Sequence, residues 1–386
     1  MLSRPRLFLI GLSCIFLFGQ VAQAQMLPHH ADRDLRVMTY NAYQGTDLVE
    51  VAKASTTQEF LVAVGDTIAQ VRKTKPPQRM RALAREIVAS GAALVSVQEL
   101  NEWSTGTFDP STATCGAMTT EFDMLRDLRN ALLATGGHYV VASQATEYAF
   151  PPTPGLISPS QFLCVGLTNH VAIFVRTDRP SRLQWSNPQS AQYKSMYAPS
   201  TAIGAVPFPR AWMSIDVRFE GRAFRFIGTH LESSDGNVRE RQGSELRDGP
   251  AKTQLPVIVA MDSNAQAAPA PIDPTYADFQ RTGFLDAWAV THPSLPGFTC
   301  CQNQLVNNHA SELFQRIDLI LTRGAVDVKD ADIVGVSQDS KTPDGLWPSD
   351  HAGVTARVDL QYPAWMNNPF GHRKDSDNFA PPFVVH

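Results

Sequence analysis

Residues 256–264 read PVIVAMDSN. Five apolar residues stand in a row from 257 to 261, the first three β-branched, and such a run is the pattern of a strand buried on both faces. The run stops at Asp262 and Asn264. Their spacing of two sets both side chains on one side of the strand end. One is a carboxylate able to orient a water; the other is a neutral amide able to hold an anionic oxygen without repelling it. Alone, the pair reads as an Asx turn after a strand. The rest of the chain gives it another meaning.

Working outward, further apolar strands end the same way. Residues 35–41, LRVMTYN, alternate and close on Asn41. Residues 93–97 are a continuous apolar strand running into Gln98 and Glu99. Residues 212–219 and 222–229 form a hairpin through Glu220-Gly221, and its second arm ends on His230 in GTHLES. Residues 316–322, RIDLILT, carry Asp318 within an apolar strand, where a carboxylate is expensive without a partner. The last strand, 354–360, follows Pro348-Ser349-Asp350-His351. Apolar strands that repeatedly stop at Asn, Glu, His and Asp describe several sheet edges converging on one polar cleft.

Helical spacing runs through 57–71 (Phe60, Val64, Ile68, Val71) and 78–90 (Leu83, Ile87), with Pro76-Pro77 expected between the two helices. Helices are also expected over 121–133, 238–246 and 276–281, and strands over 138–142 and 171–175. Residues 101–120 read as a polar loop. Residues 143–168 and 177–208, rich in polar residues and Pro, read as surface insertions placed to set specificity. Strands alternating with helices, together with direct hairpins, favour two mixed sheets packed face to face with helices outside over a doubly wound parallel sheet.

The chain has 386 residues, 43% of them hydrophobic, enough for a large core. A net charge of −4 argues against a dominant polyanion-binding surface. Arg4 and Arg6, an apolar run over 7–18 and Val21-Ala22-Gln23-Ala24 have the order of a signal peptide, residues 1–24, so export to the periplasm or medium is expected. Its removal takes two arginines, moving the charge from −4 to −6, and takes Cys14. Cys115, Cys164, Cys300 and Cys301 then stand in an oxidising compartment, where two disulfides are expected. Adjacent cysteines seldom bridge each other, so Cys300 and Cys301 are expected to reach different partners. No later apolar run is long enough to cross a bilayer. Residues 361–386 read as a Pro- and Asn-rich tail.

In this order, TYN, QE, THLES, DSN, RID and SDH resemble the endonuclease/exonuclease/phosphatase, or DNase I-like, superfamily over about residues 35–360. The resemblance implies an α/β fold, a four-layered α/β-sandwich of two mixed β-sheets flanked by helices. It also implies hydrolysis of a phosphoester, assisted by Mg2+ or by Mn2+ or Ca2+, in a single-chain enzyme. Glu99 would be the principal metal ligand, a hard cation favouring carboxylate oxygen, with Asn41 and Asp350 beside it. Asp262 would orient or deprotonate the attacking water, and Asn264 would hold a phosphate oxygen. His351 would stabilise the phosphate, with Asp318 fixing its tautomer and favouring the imidazolium. His230 would contact phosphate or act as general acid. Asn169 or His170, Arg210, Arg241 and Gln242 stand as further candidates.

The substrate is less constrained. Ala265 stands where the inositol phosphatases of this superfamily carry Arg, which disfavours an inositol phosphate, and no basic cluster interleaved with aromatics points to nucleic acid. A phosphodiester in nucleic acid and one in a phospholipid headgroup, as for a sphingomyelinase-like phospholipase C, remain level expectations. A third is a catalytically silent binding or toxin-like module on the same fold. Trp347, before Ser349-Asp350-His351, is either a core residue or an exposed ring for lipid or base.

Overall fold

The structure is a computed structural model that describes residues 34–180, 183–201 and 204–361. The expected signal peptide over 1–24, with Cys14, and the expected tail beyond residue 361 lie outside the described residues.

The strand Val257–Asp262 is buried at every position because both its faces are covered. Ile258 and Ala260 point into the layer between two sheets, against Leu94, Ile173, Ile215, Phe226 and Val354. Val257, Val259 and Met261 point the other way, to Leu246, Tyr276 and Phe279 on the outer helices Gly236–Asp248 and Pro274–Arg281. This is the physical reason the run 257–261 does not alternate. In its sheet the order is Leu285–Asp286, Asp318–Arg323, Val257–Asp262, Arg222–His230, Ala211–Phe219 and Leu183–Gln192. The facing sheet runs Val326–Val334, Gly353–Leu360, Asp34–Asn41, Leu94–Asp109, Gln161–Arg176 and Tyr139–Ser158, with Thr114–Asp123 paired to Leu94–Asp109. Its outer face is covered by Pro76–Ser90 and Met124–Ala134 through Met80, Leu83, Ile87, Leu128 and Leu132. Helix, sheet, sheet, helix: this is the expected four-layered α/β-sandwich with two mixed sheets.

Several local expectations are corrected. Pro76 and Pro77 do not separate two helices; they open the second, where a missing N–H costs nothing. Residues 101–120 are not a loop but arms of Leu94–Asp109 and Thr114–Asp123. Residues 143–168 belong to a long hairpin, Tyr139–Ser158 with Gln161–Arg176. These strands overshoot the sandwich and receive the helix Thr57–Lys73, packing Phe60, Val64 and Ile68 against Trp103, Tyr148, Val165 and Leu167. Gly65 and Gly155 meet there with no space for a side chain, since a Cβ on either would collide with backbone across the contact. Leu183–Gln192 forms an edge strand within the second supposed insertion. Cys115 bonds to Cys164 with Cα atoms 5.8 Å apart, tying two of the overshooting strands together. The sulfurs of Cys300 and Cys301 lie against each other.

Candidate functional site

Strand register puts three candidate residues in one row. His230 pairs with Asp262 across a parallel ladder, and Asp262 with Asp318 across an antiparallel one. From the facing sheet, Asn41 ends its strand opposite Gln98, and its side-chain amide donates to Asp262 Oδ2 at 2.9 Å. The backbone N–H of Asn264 holds Asp262 Oδ1 at 3.0 Å. The Asp262 carboxylate is therefore fixed by one donor on each oxygen, and the two sheets are joined at this point.

Glu99 reaches the same cleft through a β-bulge. The pairing of Leu94–Asp109 with Gln161–Arg176 shifts register between Val97 and Leu100, and Glu99 takes a left-handed φ of 57°. Asn264, at φ 48°, and Tyr43, at φ 57°, share that conformation. Such backbone is costly for residues with a side chain and gathers where a site demands a particular aim. Glu99 Oε2 accepts from Gln44 N at 2.7 Å. Glu99, Asp262, Asn264, His230, Asp350 and His351 all line one cleft of 440 Å3. Asn41 and Asp318 stand one layer back, bonded to Asp262 and His351.

The two histidines are driven apart in charge. Burial opposes the charged form of His351, but Asp318, Asp350 and Asp262 outweigh it and hold its pKa well above the usual imidazole range. His351 Nδ1 lies 2.8 Å from Asp318 Oδ2, and Nε2 lies 3.9 Å from Asp262 Oδ2. The ring is thus a cationic donor at the cleft. His230 is fully buried, and burial with the neighbouring Arg210 guanidinium lowers its pKa to about 4. Its Nδ1 lies 3.1 Å from Glu147 Oε2 and its Nε2 3.5 Å from Asp262 Oδ2. His230 is neutral at pH 7, so in the free protein its ring accepts rather than gives a proton. Environments that push two like groups in opposite directions are a mark of assigned acid and base roles. Removing the partner should expose this. Asp318→Asn is expected to release His351 and bring its pKa down, read by NMR titration of the imidazole, with the melting temperature recorded alongside to separate this from unfolding.

Sequence reasoning missed two contributors, Glu147 and Arg79, and left a third, Arg210, open. Glu147 is completely buried; burial, against the pull of Arg210, lifts its carboxyl to about 7. Nothing in the pattern around it marks it. Arg210, an open candidate, is buried against His230, with Nη1 3.0 Å from the ring Nδ1, and forms ion pairs with Glu147 and Glu232. Arg79 is fully buried under the acidic side, its pKa lowered to about 10 by burial. It lies on the helix Pro76–Ser90 four residues before Leu83, on the apolar stripe, and that placement is a signal the sequence does carry.

The remaining candidates separate cleanly. His170 points outward to Thr146 Oγ1; Asn169, buried, points inward, its amide making no hydrogen bond among the described residues. Gln242 is structural, linking Glu232 N to the Ser195 carbonyl, and Arg241 is exposed. Trp347 is a core residue, packed with Tyr43, Val306 and Leu346 and donating to the Asn308 carbonyl at 3.0 Å.

The fold is shared with solved structures of endonuclease/exonuclease/phosphatase family proteins. An endonuclease/exonuclease/phosphatase family protein from Bacteroides thetaiotaomicron superposes with a TM-score of 0.51 at 17% identity, covering 85% of this chain and 98% of that one. A protein of the same family from Leptotrichia buccalis gives 0.50 at 15%, covering 84% and 100%. D. rerio TDP2, humanized by 14 mutations, gives 0.50 at 15%, covering 85% and 100%. No protein-family model and no curated protein sequence matches the chain.

Proposed function

We propose that this chain is a metal-dependent phosphoesterase that hydrolyses phosphodiesters by in-line attack of water. The observation that carries it is Asp262, pinned by Asn41 and Asn264 between a cationic His351 and a neutral His230. The superfamily of the proteins that share the fold adds support.

The donor set fits a hard divalent cation. Glu99 and Asp350 are carboxylates facing one cleft, with Arg79 as the cation buried below them. Burial and the neighbouring Glu99 lift the Asp350 carboxyl to about 7, the mark of acidic groups crowded together. Asp262, Asp318 and His351 form a tighter cluster of possible ligands. There, however, the imidazolium of His351 has no lone pair to give and Asp318 is committed to it. Oxygen ligands from Glu99 and Asp350 suit Mg2+ better. A cation bound there supplies charge neutralisation on the phosphoryl oxygens. Asp262 orients the water and takes its proton. His351 donates an Nε2–H hydrogen bond to a phosphoryl oxygen as charge develops, Asn264 stands at the rim for another, and the bond from phosphorus to the leaving oxygen breaks with that oxygen taking a proton from solvent. Asp318 and Glu147 hold the two rings in place.

The test is hydrolysis of bis(p-nitrophenyl) phosphate, plasmid DNA, RNA and sphingomyelin by the purified protein, with Mg2+ and with EDTA. EDTA-sensitive cleavage is expected. Intact fold with no cleavage of any substrate would favour the silent binding module. Metal removal should also show in stability: saturating Mg2+ at about 100 times Kd stabilises by about 2.7 kcal/mol, read as a rise in melting temperature that Glu99→Gln abolishes. The order Arg, apolar run, Ala-x-Ala at the N-terminus supports export of the enzyme.

A further inference from the structure

Beside the catalytic cleft lies a second space of 390 Å3, within the range of ligand pockets. Leu48, Ala52, Tyr148 and Phe208 line both, so the two spaces adjoin across these side chains. The walls of this chamber come from the overshooting hairpin, from the two helices before it, Val49–Lys53 and Thr57–Lys73, and from residues 205–209, with Trp103 and Gln192 added from sheet strands. Val51, Phe60, Val64, Phe150, Val165 and Leu167 make it apolar.

Most of its polar side chains already hold partners within the protein, the Thr201 hydroxyl donating to the Gly204 carbonyl. The Trp103 indole N–H donates to the Gln44 carbonyl, and the Tyr148 hydroxyl to Gln44 Oε1. Gln192 Nε2 donates to the carbonyls of Thr146 and Glu147, and the Thr153 hydroxyl to that of Pro151. Glu147 is taken by Arg210, His230 and the Ala211 N–H. A nucleobase carries several edge donors and acceptors that would go unpaired here, which is a strong ground for rejection. An aliphatic chain loses nothing. On the footing of the phosphoesterase reading above, we propose that the substrate is an amphiphilic phosphoester whose aliphatic chain seats in this chamber while its phosphate lies in the cleft.

The test does not need turnover. Methyl-, butyl- and octylphosphonate, which carry a P–C bond that hydrolysis does not cleave, are titrated calorimetrically with Mg2+ present. Affinity should tighten about fourfold per methylene until the chamber is full. Val51→Trp fills the chamber from its half-exposed rim, and Thr153→Trp does so from a different segment. Both should flatten the series, leave methylphosphonate affinity unchanged, and keep wild-type hydrolysis of bis(p-nitrophenyl) phosphate. A flat series in the wild-type protein, or one that both filled variants leave intact, overturns the chamber as an aliphatic subsite. So does tighter binding of a nucleoside 5′-phosphonate than of octylphosphonate. Failure of the phosphoesterase reading would look different: no hydrolysis of bis(p-nitrophenyl) phosphate, with the chain-length dependence of binding still present.

Discussion

Asp262→Asn should lower kcat/KM for a phosphodiester by about 1000-fold or more while the protein still folds and still binds Mg2+. The side chain is nearly isosteric, so the packing of Val257–Asp262 against both neighbouring layers is unchanged. What changes is the charge and the proton acceptor. A positioned general base contributes about 100- to 10,000-fold, and here the same carboxylate also faces His351 Nε2 at 3.9 Å and His230 Nε2 at 3.5 Å. An amide nitrogen in either position would meet the Asn41 amide donor or the Asn264 N–H, so the variant loses one of the two bonds that aim the group. That loss costs about 1 kcal/mol of stability, a few degrees at most, and cannot explain a thousandfold fall in rate. Single-turnover rates with bis(p-nitrophenyl) phosphate, measured beside a thermal melt, distinguish the two. A variant retaining a tenth or more of the wild-type rate would remove Asp262 from water activation. The water would then have to be activated elsewhere, with neutral His230 the next group in line.

How much of this was legible in the sequence depends on what held each segment in place. The run 257–261 announced itself because both its faces are buried, and so did the hairpin ending at His230, whose pattern is set by the same core. Asp318 was legible for the opposite reason: a carboxylate inside RIDLILT needs a partner, and the structure supplies His351 at 2.8 Å. The overshooting strands were not legible. Residues 101–120 and 143–168 are largely solvent-facing and rich in Thr, Ser and Pro, and they are strands because the helix Thr57–Lys73 and the Cys115–Cys164 bond hold them so. That is tertiary context overriding local preference. Glu147 was hidden with them, since its role depends on Arg210 and His230, which lie 63 and 83 residues away. Glu99 was found by its neighbours in sequence, but the bulge that aims it was not, because no residue in VQEL requires positive φ.

Arg79→Met is expected to be the most destabilising single change near the site, by about 3–5 kcal/mol. Its guanidinium is wholly buried and reaches three segments. Nε donates to the Thr74 carbonyl at 2.9 Å, Nη1 to Ala42 at 2.7 Å and Pro348 at 3.2 Å, and Nη2 to Tyr43 at 2.9 Å. Two of these segments carry the cleft: the turn after Asn41, and the loop that delivers Asp350 and His351. Met restores the apolar volume of the side chain but leaves those carbonyls without their donor and removes the cation that faces Asp350 and Glu99. Each buried acceptor left unpaired costs about 1–3 kcal/mol before any relaxation. Arg79→Lys separates the two losses, since it keeps a charge but cannot fork to carbonyls on both sides. It should recover less than half of the stability lost in Arg79→Met. Urea denaturation of the three proteins, compared at equal m-value, gives the answer. A cost below about 1 kcal/mol for Arg79→Met would show that the two loops are held by their own packing, with Arg79 a passenger. At the expected cost, the arginine binds the two halves of the cleft into one unit, and its loss should reduce catalysis and stability together.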